Sequence, residues 1–235
     1  MEMNREKSYQ ESYAIQYDYE LRNFMLQVYN YMTVALAISG LVAIGLNMSP
    51  VAMKIIWGSN LKWVIIFLPL VLSLGYSYLF DKMSITTAKY GLIAFSIAMG
   101  LSLSSIFMIF KLGSIANIFF ISAATFAAAS LYGYVTKKDL TSFGSFLIMG
   151  LIGVVIASVV NIFLASSVLT FVISILGVLI FTGLTAYDTQ NLKSVYDDTH
   201  GDERVKAGIM GALQLYLNFI NIFTSLLQLL GDKKD

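Results

Sequence analysis

The feature that most constrains how this chain can fold is a run of 48 uncharged residues from Leu140 to Tyr187. Most of such a run can only lie within a bilayer. It ends at Asp188, and Lys193 is the only other charge between Asp139 and Tyr196. A carboxylate at the end of a spanning segment is costly unless it faces the interior of a helix bundle or a wet cavity. Asp188 is therefore the first candidate functional residue.

The remaining charges mark out where the chain crosses the membrane. Charged residues make up 12% of the sequence, against roughly 25% in soluble domains. The uncharged stretches are 23–53, 63–80, 90–110, 112–136, 140–187 and 207–231. One crossing takes roughly 20 apolar residues, so the 48-residue run contains two spans, divided near 164–168. We predict an all-α integral membrane protein with seven transmembrane helices in 23–231, and no separate soluble domain.

The basic residues indicate how the bundle is oriented. With a cytoplasmic N-terminus, ten basic residues lie inside and five outside. The ten are Arg5, Lys7, Arg22, Lys82, Lys89, Lys137, Lys138, Lys193, Arg204 and Lys206, and the five are Lys54, Lys62, Lys111, Lys233 and Lys234. The positive-inside rule favours this orientation. It makes residues 1–22 a cytoplasmic tail and puts the C-terminal tail, 232–235, outside.

The N-terminal tail fits two descriptions. It holds five acidic residues among its first 20 and lacks the apolar segment of a cleaved signal peptide. Its tyrosines are Tyr9, Tyr13, Tyr17 and Tyr19. They fit a short amphipathic helix at the interface, and a disordered tail fits equally well.

The sequence argues against most kinds of chemistry. It contains no cysteine, and its one histidine, His200, lies in a polar loop beside Gly201. Metal and nucleophile sites need several convergent groups, and none of the common hydrolase or phosphate-loop motifs is present. We therefore expect no enzymatic activity, no bound cofactor and no nucleic-acid partner.

The last predicted span carries a polar stripe. Its members are Gln214, Asn218, Asn221, Ser225 and Gln228, at steps of four and three residues. This spacing puts them on one helix face. Carboxamides are rarely exposed to hydrocarbon, because each polar group without a hydrogen-bond partner there raises the free energy by several kcal/mol. The last helix is thus predicted to be central, and its stripe is either a dry seam of interhelical hydrogen bonds or the lining of a hydrated pathway.

The sixth predicted span offers a complementary face. Ser174, Gly177, Phe181, Thr185 and Asp188 follow one another at three or four residues. Asn218 lies ten residues into the last span, or roughly 15 Å along its axis. If the sixth helix continues to about Tyr196, Asp188 lies at a similar depth. We therefore expect Asp188 and Asn218 to be neighbours, and Lys82, at the end of the second span, to reach the same vestibule.

These segments resemble the transmembrane Bax inhibitor motif family. The resemblance rests on Thr185-Ala-Tyr-Asp-Thr-Gln-Asn191, on the segment from Ala212 to Phe223, and on Leu226 to Gly231. It extends over nearly the whole chain from about Phe24. It implies a seven-helix bundle around a central last helix. It also implies a pH-sensitive calcium leak in which two aspartates share a proton and a basic residue latches the closed state.

The resemblance assigns roles to particular residues. The first aspartate of the pair corresponds to Asp188, which is then the pH sensor and a calcium ligand. The latch corresponds to Lys82, where better-known members have arginine. The candidate pathway lining, Gln214, Asn221, Ser225 and Thr185, comes from the helical spacing of the two spans and not from the resemblance. The second aspartate is replaced by Asn218, whose role is left open.

This replacement has physical consequences. Two close carboxylates repel each other and titrate as a unit, whereas an aspartate facing an asparagine meets no such repulsion. Calcium would also lose one charged oxygen ligand, which weakens its binding. The pH response is thus expected to be shifted or absent relative to a paired-acid site.

The most concrete function these features predict is a pH-modulated, calcium-permeable leak in a bacterial inner membrane, with the lipid bilayer as its surroundings and calcium as its permeant ion. Two alternatives stay open. One is a non-conducting membrane regulator that binds a membrane protein partner such as a protease or stress factor. The other is a proton-coupled transporter of a small solute, with Asp188 as its proton site.

Overall fold

A computed structural model describes the backbone of residues 2–234 and the side chains of residues 15–234. The described chain is helical almost throughout. Its helices are α1 (Glu2–Asn47), α2 (Pro50–Trp57), α3 (Leu61–Leu79), α4 (Ile85–Leu103), α5 (Ile106–Ile109), α6 (Leu112–Val135), α7 (Thr141–Leu164), α8 (Ser167–Asp198) and α9 (Gly201–Leu230). A single 3-10 turn, Phe80–Lys82, follows α3.

Seven of these helical segments are long and apolar enough to cross a membrane, which confirms the predicted number. They are α1 from Ile15 onward, α3, α4 extended through α5, α6, α7, α8 and α9. The predicted division of the 48-residue run is also confirmed. α7 ends at Leu164, and Ala165 adopts a left-handed conformation. The hydroxyl of Ser166 then accepts a hydrogen bond from the Leu169 amide at 3.3 Å and caps α8.

The first helix begins well before the uncharged stretch 23–53, and it ends before that stretch does. α1 is continuous from Glu2 to Asn47, so most of segment 1–22 belongs to the helix that forms the first span. The side chains of Tyr9 and Tyr13 lie outside the described residues. At the other end, Ser49 caps a separate short helix that starts with Pro50. Proline favours the first position of a helix because its missing N–H would have no partner there.

The last helix is central, as its polar stripe predicted. α9 packs against α1, α4, α6 and α8, and it is the most buried of the seven spans. Its aromatic face meets α6, where the ring of Phe219 lies 5.4 Å from that of Phe119 and 5.8 Å from that of Phe126. α3 packs on α4 and α7 packs on α8, so these two helices form an outer layer.

Close backbone approach fixes α8 within the bundle. A Cβ atom at Gly133 of α6 would lie 2.1 Å from the carbonyl oxygen of Ala186, so only glycine fits there. A Cβ atom at Gly177 would similarly lie 2.4 Å from the hydroxyl of Ser225 on α9. Small residues commonly permit such contacts between membrane helices. These contacts set the position of α8, and with it the position of Asp188.

Candidate functional site

Asp188 and Asn218 form a direct contact between α8 and α9. The Asn218 Nδ2 donates a hydrogen bond to the Asp188 Oδ2 at 2.6 Å. Asn218 is buried and Asp188 is half-buried. The predicted proximity of these two residues is therefore confirmed. α8 continues past Tyr196 as expected, whereas α9 begins at Gly201 and not near Gly208.

The two residues after Asp188 hold α8 to other helices. The hydroxyl of Thr189 lies 3.0 Å from that of Ser130 on α6, which lies 2.6 Å from the hydroxyl of Tyr29 on α1. Gln190 accepts a hydrogen bond from the Leu140 amide at 2.8 Å and donates one to a carbonyl of the preceding loop at 2.8 Å. The segment around Asp188 is thus anchored on three sides. Sequence reasoning missed Tyr29 and Ser130 because nothing distinguishes them from other hydroxyls in the spans.

The predicted latch is not brought to this pair. Lys82 is exposed in the turn after α3. That turn meets the beginning of α9, where the Lys206 Nζ donates a hydrogen bond to the Asp81 carbonyl at 3.1 Å. Asn218 lies twelve residues further along α9, or roughly 18 Å at 1.5 Å per residue. Lys82 therefore lies at the end of the bundle and the pair lies well inside it.

The members of the predicted pathway lining have different environments. Gln214 is exposed, whereas Asn221 and Ser225 are half-buried. Thr185 is fully buried, and its hydroxyl donates to the Phe181 carbonyl of its own helix at 2.7 Å. The stripe of α9 is thus open along much of its length, and Thr185 faces protein.

A polar cleft lies between α7 and α9. Both helices pack on α8, but within the described chain they form no extensive contact with each other. The cleft has a volume of about 480 Å³. Its polar lining residues are Ser158, Asn161, Thr170, Ser174, Asn221, Thr224, Ser225 and Gln228. A cavity of this size with several polar groups can hold water, and the open part of the α9 stripe lines this cleft.

The cleft ends close to the Asp188–Asn218 pair. Phe181 and Asn221 are among its lining residues, and Asn221 lies one helical turn from Asn218. On the other side of the pair the two helices are tightly packed. A Cβ atom at Gly211 would lie 2.3 Å from Leu192, which is itself buried. The pair therefore lies between the polar cleft and an apolar packing contact of α8 with α9.

The site offers oxygen atoms but little charge. Among the described residues, no group of three or more His, Asp or Glu side chains is placed to hold a metal ion. Asp188 supplies one carboxylate, and the carboxamides of Asn218 and Asn221 supply neutral oxygens. Ca²⁺ prefers six to eight oxygen ligands, and its affinity rises with the number of charged ones. Any calcium ion here would keep much of its hydration shell.

Comparison with known proteins identifies the family. The family model described as inhibitor of apoptosis-promoting Bax1 matches residues 21–235. The chain belongs to the Bax inhibitor family. The match includes all three segments on which the resemblance rested. The protein is thus a multi-pass membrane protein of this family.

Bacterial relatives share almost the full length of the chain. An uncharacterised protein of Rickettsia prowazekii is 43% identical over 221 residues, which cover 93% of each chain. A protein of Caulobacter vibrioides is 43% identical over 231 residues, covering 93% of this chain and 92% of the relative. The inner membrane protein YbhL of Escherichia coli is 40% identical over 218 residues, covering 91% of this chain and 93% of the relative.

Proposed function

We propose that this Bax inhibitor family protein is a calcium-permeable leak whose flux is modulated by protonation of Asp188. In this proposal it lies in a bacterial inner membrane with its N-terminus in the cytoplasm, catalyses no reaction and needs no cofactor. The observation that carries the proposal is the hydrogen bond between Asp188 and Asn218 at the inner end of a polar cleft. An intramembrane carboxylate beside a hydrated cavity is typical of an ion or proton pathway.

The pair can act as a switch because its two partners respond differently to a proton. An ionised Asp188 only accepts hydrogen bonds, so the Asn218 amide nitrogen faces it. A protonated Asp188 becomes a donor, and the Asn218 carbonyl oxygen is then its natural acceptor. Protonation therefore favours rotation of the amide and changes the contact between α8 and α9. In this proposal, that change shifts the apolar packing of Leu192 against Gly211 and opens or closes the path.

The composition of the cleft suits a permeant ion better than a bound one. Calcium passing along α9 would meet carboxamide and hydroxyl oxygens first and a single carboxylate at the end. Conduction requires binding favourable enough for the ion to enter and weak enough for it to leave. With the N-terminus inside, the cleft opens to the outside of the cell, from which calcium would enter.

The direct test is calcium flux into liposomes that hold the purified full-length protein, measured from about pH 5 to about pH 8. We expect a pH-dependent flux in the natural protein. Asp188→Asn removes the titrating group, so its flux should lose most of its pH dependence. Asp198→Asn is the matched control, because Asp198 is exposed at the end of the same helix, and it should retain the response. Identical pH profiles for the natural protein and Asp188→Asn would make Asp188 structural.

A second variant tests the role of Asn218. Asn218→Asp recreates a pair of acids that repel each other and share a proton. We expect calcium to bind more tightly because a charged oxygen is added. We also expect the midpoint of the pH-dependent flux to shift. If the variant folds, as judged by its elution and helical content, and neither property changes, Asn218 has no part in the site.

The same preparation separates this function from the two alternatives. A non-conducting regulator would give no flux at any pH. A proton-coupled transporter would show saturable solute uptake driven by a pH gradient, and a calcium gradient alone would move nothing. Either result would refute the proposed leak.

A further inference from the structure

A second cavity, which we call the lateral groove, lies between α1 and α6. It has a volume of about 430 Å³. Both helices pack on α8 and α9, but within the described chain they form no continuous seam with each other. A volume of this order is typical of a ligand pocket. None of the lining residues belongs to the Asp188–Asn218 pair or to the polar cleft.

The lateral groove opens sideways, toward the hydrocarbon of the bilayer. Its rims carry the exposed side chains of Leu26 on α1 and Leu131 on α6. Its floor is formed by the buried residues Met25, Phe126 and Ser130 and by the half-buried Tyr29, whose hydroxyl pairs with that of Ser130. An empty apolar groove would forfeit dispersion contacts along its whole lining. Since both helices span the membrane, an acyl chain is the apolar molecule with direct access.

Charge is present at only one end of the lateral groove. Arg22 lines the end nearest the N-terminus of α1, seven residues or roughly 10 Å before Tyr29. Lys193 of α8 does not itself line the groove, but its Nζ donates to the carbonyl of the lining residue Tyr134 at 3.1 Å and lies over the Tyr134 ring. Toward the other end, residues 23–53 and 112–136 contain no charge. This polarity matches a lipid with an anionic headgroup at one end and an apolar chain at the other.

We propose that the lateral groove binds a single anionic phospholipid from the leaflet on the N-terminal side of the bundle. One acyl chain lies between Leu26 and Leu131, and the phosphate lies between Arg22 and Lys193. Guanidinium groups suit phosphate oxygens because their donors form a planar fork. The proposal does not depend on calcium conduction or on the role of Asp188.

Native mass spectrometry of the full-length protein with added lipid tests this proposal. The probes are phosphatidylglycerol and phosphatidylcholine with identical acyl chains. We expect one phosphatidylglycerol to be retained more tightly than phosphatidylcholine. Arg22→Gln should weaken phosphatidylglycerol binding about fivefold, which is the effect of one basic side chain near an anionic lipid surface. It should weaken phosphatidylcholine binding less, because the choline ammonium of that headgroup offsets the charge of its phosphate. Lys193→Gln should act in the same direction.

A steric variant tests the position of the chain. Ala127 on α6 is exposed and lines the groove, and Ala128 is exposed but does not line it. Ala127→Trp should therefore reduce retention of both lipids, and Ala128→Trp should reduce neither. Equal retention by the two variants, or the same lipid preference in Arg22→Gln as in the natural protein, would overturn the proposal. So would a protein dimer that only Ala127→Trp abolishes, because the groove would then bind a second copy of the chain.

Discussion

The strength of the Asp188–Asn218 hydrogen bond should depend on pH, and a double-mutant cycle can measure it. The variants are Asp188→Ala, Asn218→Ala and the combination of both. Each single change removes one partner of the 2.6 Å contact. The difference between the double variant and the sum of the singles gives the coupling free energy.

The expected magnitude follows from the charge on Asp188. A hydrogen bond to a charged group contributes roughly 1.5–3 kcal/mol. Hydrogen bonds between side chains of membrane helices average about 0.6 kcal/mol in such cycles, because the unfolded state in the membrane also finds partners. The coupling should therefore be about 2 kcal/mol at high pH, where Asp188 is ionised, and should fall to about 0.6 kcal/mol once the carboxyl is protonated.

The measurement is reversible unfolding in mixed detergent micelles from about pH 5 to about pH 9. A control cycle is available one residue away, between the hydroxyls of Thr189 and Ser130. These groups do not titrate in this range, so their coupling should stay near 0.6 kcal/mol throughout. A coupling between Asp188 and Asn218 that equals the control at every pH would refute the reasoning, because the bond would then gain nothing from charge.

Three further predictions concern topology, hydration and packing. A reporter that is active only in the cytoplasm should be inactive when fused after the tail 232–235, since seven spans put that tail outside; an active reporter would contradict the orientation. The chain contains no cysteine, so single cysteines can be introduced as probes. A cysteine at Ser225 in the cleft should react with a small water-soluble thiol reagent, and one at the fully buried Leu215 should not. Equal reactivity would argue against a hydrated cleft. Gly133→Ala should lower the unfolding free energy by roughly 1–3 kcal/mol through overpacking against α8. Gly153→Ala is the control and should not lower it, because nothing lies within 4 Å of the added Cβ. Equal stability of the two variants would refute the close contact.

The depth of the candidate pair could be predicted because the length of a membrane-spanning helix follows from its number of residues. Gaps between charges give the ends of the spans, and the fixed rise per residue gives the level of each side chain. Asp188 and Asn218 were placed together by counting from opposite ends of α8 and α9. The count assumed that α8 continues beyond Tyr196, which the structure confirms, and that the last helix begins near Gly208, which was wrong because α9 begins at Gly201.

The environment of the other candidates could not be obtained in this way. Thr185 shares the helical spacing of Asp188, yet its hydroxyl bonds to its own backbone and the side chain is fully buried. Lys82 lies at the end of the bundle where α9 begins, but the turn that carries it stays at the surface. Periodicity gives the direction in which a side chain points and says nothing of what lies opposite. Whether α1 and α6 touch is likewise invisible in sequence, so the lateral groove required the structure.

The family resemblance implies a second acid at the position of Asn218, and an asparagine there would make a different kind of switch. Two aspartates can pass one proton between them, so their hydrogen bond survives in the half-protonated state with either residue as the donor. An aspartate and an asparagine keep a bond in both protonation states only if the amide rotates. After rotation the amide nitrogen loses the carboxylate and needs a new acceptor, since an unpaired donor in a membrane interior costs kilocalories. The polar cleft one turn away at Asn221 can supply water as that acceptor. We therefore expect protonation of Asp188 and hydration of the cleft to be coupled, with a response to pH that depends on how far water reaches along α9.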